Sequence, residues 1–415
     1  MVTVMTVLSV VVGILAVGFG GIVMSGGPMT GVTPPLVPED SPTHGSPPWP
    51  VFQVVMKLHN LFAYLARVTI PPNLHVMNVA TSYWQSEVLY SLTYNGILQY
   101  LVDENSLKSC ADVASSLHLQ EMVVCEYMKA GEHLGFLQST DNGSNYGLTE
   151  AGKLSTGGMK DWILFINEET KDAWRAAGTE SIRTGVSGFQ SQFGLELFAW
   201  HNEHPDKEAQ FDGAMTSLGP AAVGALLSGW SPPALSSTVC DIGSGVGTLV
   251  AEILQHYPEA KGMTLDQPSV SERATVYMEE KGLGHRAQVF GSSFFDPFPP
   301  EMATCDVFFM RFILHDWGDD DCIVILKQIK QAASGPKNGN KVKLAIMEQV
   351  TDTNAGAAME RAKSLMSINM IASCSFGARE RTMEEYAQLF AAAGYSGAPK
   401  LIKLREIFSV LEVEI

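Results

Sequence analysis

The stretch Thr238-Val239-Cys240-Asp241-Ile242-Gly243-Ser244-Gly245-Val246-Gly247 decides the fold. A short apolar run ends in an acid and a glycine-rich turn, and an apolar helix follows from Leu249 to Tyr257. Glycines in such a turn bend the chain tightly and let backbone approach a ligand closely. The spacing is Gly-x-Gly-x-Gly, not the dinucleotide pattern Gly-x-Gly-x-x-Gly. Asp241 at the strand end suits a ligand with a positive ammonium group better than a pyrophosphate. A second run, Gly262-Met263-Thr264-Leu265-Asp266, also ends in an acid, placed where a carboxylate can accept both hydroxyls of a ribose. The turn alone could be purely structural; the two acids in register point to a nucleoside-type cofactor.

Working outward, Cys305 to Met310 and Lys343 to Glu348 are two further apolar runs, with helical stretches between them. Strands alternating with helices predict an α/β region with a largely parallel sheet. Phe309-Met310-Arg311-Phe312-Ile313-Leu314-His315-Asp316-Trp317 places His315 just past a strand's carboxyl end, where such sheets hold ligands. A lone histidine is usually structural. Here Glu348 closes the next strand and Glu380 sits in Ala378-Arg379-Glu380-Arg381-Thr382. A carboxylate on one ring nitrogen fixes the tautomer and stabilises the imidazolium formed when the other nitrogen takes a proton. That suits a general base acting on a phenol, whose reference pKa is about 10.

Upstream, residues 51 to about 230 read as mainly helical, with Leu61, Leu65 and Val68, then Val88, Leu92, Ile97 and Leu101, at helical spacing. A short helix from Ser109, a turn at Leu117-His118-Leu119 and a helix from about Gln120 to Gly135 precede a hairpin signal. That hairpin comprises Phe136–Ser139 and Tyr146–Thr149 around a polar turn. This is the winged-helix pattern, which on a basic chain would suggest DNA binding. The 415-residue chain carries a formal net charge of -17, which repels phosphate backbones and argues for a packing or dimerisation module. Met1 to Met24 holds no charged side chain and is long enough for a bilayer, so a transmembrane anchor is expected over residues 1–25. A cleaved signal peptide competes, but its basic leading segment is absent. Eight prolines between Gly26 and Pro50 predict an extended linker over 26–50. Six cysteines, none in a Cys-x-x-Cys pair, predict reduced and mostly buried thiols.

Val239–Gly247, Asp266-Gln267-Pro268, Phe309–Trp317 and Gly377–Thr382 together resemble the caffeic acid and hydroxyindole O-methyltransferase family, over roughly residues 70 to 415. Trp200, His201, Pro205, Phe211 and Met215 fit its inter-domain region. The resemblance implies a winged-helix dimerisation domain (51–220), a Rossmann-like catalytic domain (221–415), S-adenosyl-L-methionine as methyl donor, a homodimer and no metal. It implies His315 as base, flanked by Glu348 and Glu380. Carried over by position, Gly243 lies under the donor with Gly245 in the same turn, Asp266 on the ribose, Phe294 on adenine, and Arg311 near the amino-acid end. Ser293 stands where the family has an aspartate for the adenine amino group, which predicts weaker donor binding. Met215, Phe211, Trp162, Met366 and Met370, with Asp316, are candidate acceptor contacts, though Met and aromatics at helical spacing often mean plain core. Ile371 and Ser375 depart from the plant pattern. With the anchor and the Phe294-Phe295-Asp296-Pro297 variant, they point to a fungal enzyme, membrane-anchored with its catalytic domain in the cytosol. The expected acceptors are lignin-derived phenols or fungal secondary metabolites. Two other classes are weighed: a donor-binding enzyme performing a pericyclic or elimination step, which product mass would reveal, and a winged-helix regulator, which salt-dependent DNA binding would reveal.

Overall fold

A computed structural model describes residues 49–415 apart from 141–142, 335–340, 354–355 and 405–406. The glycine-rich run forms strand β3 (Thr238–Ile242), in a seven-stranded sheet ordered β5-β4-β3-β6-β7-β9-β8. Strands β4 (Lys261–Asp266), β5 (Ala287–Gly291), β6 (Val307–Arg311) and β7 (Lys343–Glu348) run parallel to it. Strands β8 (Lys400–Lys403) and β9 (Ser409–Glu414) return antiparallel at one edge. Helices cover both faces, so the central strands are buried on both sides and read as continuous apolar runs. The pairing Asp241↔Phe309 brings the carboxyl ends of β3 and β6 together, and Asp266 ends the neighbouring β4. This is the Rossmann-like α/β fold expected from the sequence, with its crevice at the strand carboxyl ends.

The preceding region is helical. Helix Cys110–Leu117 starts at a capping box, in which Ser109 accepts from the Asp112 amide and Asp112 accepts from the Ser109 amide. Helix Glu121–His133 and an antiparallel hairpin, β1 (Leu137–Thr140) with β2 (Asn145–Leu148), complete the winged-helix arrangement. Leu92, Leu98, Val113, Met128 and Leu137 form its core. The 23-residue helix Pro205–Leu227 then leads into the sheet, and Ala222, Val223 and Leu226 near its end pack in the cluster that holds Val239 and Phe309.

Two expectations are corrected. Membrane anchoring, and with it a localisation on the cytosolic face of a membrane, is withdrawn. Among the described residues no helix is long and apolar enough to cross a bilayer. The helix Trp49–Thr69, 21 residues long, carries Lys57, His59 and Arg67. The expected anchor at 1–25 and nearly all of the linker at 26–50 lie outside the described residues. The cysteines also differ from the reduced set expected. Cys110 is disulfide-bonded to Cys125 and Cys240 to Cys305, with Cα separations of 5.1 and 5.9 Å, while Cys322 and Cys374 are free and buried. Both pairings are created by tertiary contact, between successive helices and between β3 and the turn just before β6, which spacing along the chain does not reveal.

Candidate active site

The turn after β3 places Gly243 in the left-handed region at φ 71°, where a Cβ would strike Ile313 and come within 3.6 Å of the Phe294 ring. Only glycine fits under that wall. Asp241 is buried and one of its carboxylate oxygens has no hydrogen-bond partner. Burial pushes its pKa up to about 7, with Arg311 pulling down and Asp266 pushing up. An orphaned buried acceptor beside an arginine fits a ligand end that carries both an ammonium and a carboxylate. The Arg311 guanidinium lies 3.5 Å from the Thr248 hydroxyl. At the other end, Asp266 accepts from the Gly245 and Gln267 amides, both at 2.7 Å. Each of its oxygens keeps a lone pair for a ribose hydroxyl. Burial pushes Asp266 up to about 6. The Ser293 hydroxyl accepts from the Phe295 amide at 3.1 Å, so part of its capacity is spent locally. Phe294 packs edge-on against Trp317 and Phe295.

His315, Glu348 and Glu380 come together at the end of β6 and β7. The His315 Nδ1–H donates to Glu380 Oε1 at 2.9 Å, and Glu348 Oε2 lies 3.7 Å from the same nitrogen. Ionised carboxylates only accept, so this pairing assigns the proton to Nδ1 and turns Nε2 toward chemistry. Asp316 Oδ1 stands 3.5 Å from Nε2. Burial disfavours the imidazolium, but Glu348, Glu380 and Asp316 outweigh it, and the His315 pKa is pushed up to about 10. Burial also raises Glu348, while the His315 charge draws it down. Glu348 braces the backbone as well, since its Oε1 accepts from the Ile313 and Leu314 amides, at 3.2 and 3.0 Å. These bonds hold the loop in which Phe312 adopts φ 57°, an unusual conformation for a bulky residue.

Sequence reasoning missed the parts that four residues play at this loop. Arg381 is fully buried, donates to the Leu314 and Trp317 carbonyls at 2.7 Å each and pairs with Asp319. Its side chain pins both ends of the segment that carries His315. Cys374 donates its thiol to Asp316 Oδ1 at 3.1 Å, and the Ser375 hydroxyl donates to the Asp316 carbonyl at 2.8 Å. Phe198 stacks on Trp317, with ring centroids 5.8 Å apart. Of the candidate acceptor contacts, Phe211, Met366 and Met370 share one cluster, and Trp162 reaches Phe211 through Phe165. Met215 is half-buried one turn beyond Phe211 on the same helix. The result is an aromatic wall next to a polar histidine–carboxylate centre.

A nucleoside-sulfonium crevice beside a proton acceptor defines a group-transfer enzyme. Residues 174–396 match the O-methyltransferase domain family, and the chain belongs to that family, with S-adenosyl-L-methionine as its methyl donor. It is similar to a phenazine O-methyltransferase of Lysobacter antibioticus, 28% identical over 79% of this chain and 92% of the relative. It is 26% identical to the 3'-hydroxy-N-methyl-(S)-coclaurine 4'-O-methyltransferase of Coptis japonica, over 82% of this chain and 95% of that enzyme. Human N-acetylserotonin methyltransferase, solved with S-adenosylmethionine, shares the fold. Its TM-score is 0.72 at 20% identity, covering 83% of this chain and 99% of that one.

Proposed function

We propose that this O-methyltransferase methylates a hydroxyl of a small aromatic, phenolic acceptor, with His315 as general base. The observation that carries this reading is His315 Nδ1 bonded to Glu380, with Nε2 on the other side of the ring, 3.5 Å from Asp316 Oδ1. S-adenosyl-L-methionine supplies an electrophilic methyl group on a sulfonium. Asp241, Gly243, Gly245, Asp266 and Arg311 would hold it, with Ser293 and Phe294 at the adenine. Nε2 takes the acceptor's hydroxyl proton, Glu380 and Glu348 stabilise the resulting imidazolium, and Phe211, Trp162, Met215, Met366 and Met370 orient the ring, with Asp316 as polar contact. The relatives named above for phenazine and coclaurine substrates support an aromatic acceptor. The test is the full chain with isotopically labelled donor and a panel of phenols. A product heavier by one methyl group on oxygen is expected; unchanged acceptor mass across the panel with the donor consumed would overturn the reading.

We also propose that the working unit is a homodimer built on the helical region at 51–220, with 221–415 as the catalytic domain. Helix Pro72–Ala80 buries none of its residues. Val76, Met77 and Val79 there, and Phe62, Tyr64 and Val68 on Trp49–Thr69, are exposed. A nine-residue helix does not persist on propensity alone and needs a covering surface. Light scattering is expected to give twice the 44.9 kDa chain mass. The double substitution Val76→Asp with Val79→Asp is expected to give monomers; a monomeric parent protein refutes the dimer.

A further inference from the structure

The helix Pro205–Leu227 approaches residues of the donor crevice at one place and the helix that follows Asp266 at another. Glu208, Asp212 and Gly219 fall on one stripe of it. A Cβ on Gly219 would sit 3.7 Å from the Thr248 hydroxyl and 3.8 Å from the Arg311 guanidinium, at the amino-acid end of the donor crevice. Glu208 and Asp212 meet helix Pro268–Glu280, which begins two residues after Asp266. There Arg273 Nε donates to Asp212 Oδ2 at 2.8 Å, its Nη2 pairs with the same oxygen, and its Nη1 donates to Glu208 Oε2 at 3.2 Å. The Ser269 hydroxyl donates to Glu208 Oε1 at 2.9 Å. Among the described residues no hydrophobic cluster includes members of both helices, so side-chain polar bonds hold this seam. Glu208 is only 6% exposed. Both carboxylates also act electrostatically on Asp266, pushing its proton affinity up.

Given S-adenosyl-L-methionine as the donor, we propose that Arg273 is a positioning residue for it: the Glu208/Asp212–Arg273 clamp holds helix Pro205–Leu227 over the nucleoside end of the crevice. Without the guanidinium, two mostly buried carboxylates face each other and Asp266 with no counter-charge. The guanidinium is about a third exposed but its two carboxylates are largely buried, so removing it leaves them desolvated and unpaired. The relief available to the protein is to lift the helix, which opens the ribose end while leaving His315 and its carboxylates untouched. Arg273 therefore governs donor affinity and not the turnover step. Phe211 and Met215 ride on the same helix, so lifting it also loosens the acceptor contacts and raises the acceptor KM, and kcat is compared with both substrates saturating.

The test is calorimetric binding of S-adenosylhomocysteine, which has no net charge, alongside steady-state kinetics. Arg273→Gln is expected to raise the Kd and the KM for the donor by several-fold to about tenfold, since the truncated partner is partly exposed and the carboxylates left behind are buried. Its kcat with both substrates saturating stays within about threefold. Arg273→Lys restores most of the affinity, because it keeps the charge and loses only the fork geometry. Adding Glu208→Gln and Asp212→Asn to Arg273→Gln recovers part of it by removing the uncompensated charges. An unchanged Kd in folded Arg273→Gln, or a lowered kcat with unchanged Kd, overturns the proposal. Should Arg273→Gln fail to fold, salt decides. Wild-type affinity is expected to weaken more between low and high salt than that of Arg273→Lys with Glu208→Gln, and equal salt dependence overturns the clamp.

Discussion

Replacing His315 by Ala is expected to lower kcat by about 10²–10⁴-fold, the usual worth of a positioned base, and to leave S-adenosylhomocysteine binding unchanged. The donor residues lie at the ends of β3, β4 and β6 and in the loop after β5, whereas the His315 ring is held by Glu380, Glu348 and Asp316. The pH profile carries the sharper test. Three carboxylates hold the imidazolium, with a pKa of about 10. Such a base matches a phenol of pKa about 10, so proton transfer is close to level in free energy. Most of the protein then carries a protonated His315 at neutral pH, and kcat/KM should climb with pH toward about 10. Glu380→Gln removes a charge that raises the imidazole pKa, so the rise should move to lower pH. The amide oxygen can still accept from Nδ1, so the ring stays oriented and much of the rate should survive. His315→Ala with wild-type kcat, or a Glu380→Gln profile that moves to higher pH, would refute the base assignment.

The parts of this site legible in sequence are those that end a strand. Asp241, Asp266 and Glu348 each close an apolar run, so position along the chain gave position in the crevice. His315 follows β6 closely enough for the same logic. Glu380 lies 65 residues from His315, in a loop beyond a long helix, and only the family motif placed it. Arg381 was invisible as a structural element because charged side chains are normally exposed. It is buried here because two loop carbonyls and Asp319 surround its guanidinium. Edge strand β5 and the antiparallel pair β8 and β9 at the other side also went unread. Half-buried β5 has weak patterning, and antiparallel β8 and β9 lack the strand–helix rhythm of the rest. The long amino-terminal apolar stretch illustrates the opposite hazard, since composition alone suggested a membrane role that the described helices do not support.

Asp266→Ala is expected to weaken donor binding by about 10²-fold or more, measured by calorimetry with S-adenosylhomocysteine. Hydrogen bonds to an ionised group are worth roughly 1.5–3 kcal/mol each, and this carboxylate can offer two to a ribose. The loss extends further, because the same oxygens hold the Gly245 and Gln267 amides that shape the turn. Asp266→Asn should fare no better than Ala. Its NH2 group must face one of those two N–H donors, leaving donor against donor. The ionised form is the one that accepts four bonds, so binding favours the deprotonated carboxyl. Its pKa in the empty crevice is about 6 and that of Asp241 about 7. Below these values a proton must leave before the donor can bind, so Kd should rise as pH falls through 7 and then 6. In Asp266→Ala the step near 6 should vanish, while the Asp241 step remains but moves below 7, because Asp266 no longer pushes it up. A donor affinity that is flat from pH 8 to pH 5, or an Asp266→Asn variant that binds like wild type, would remove Asp266 from the donor site.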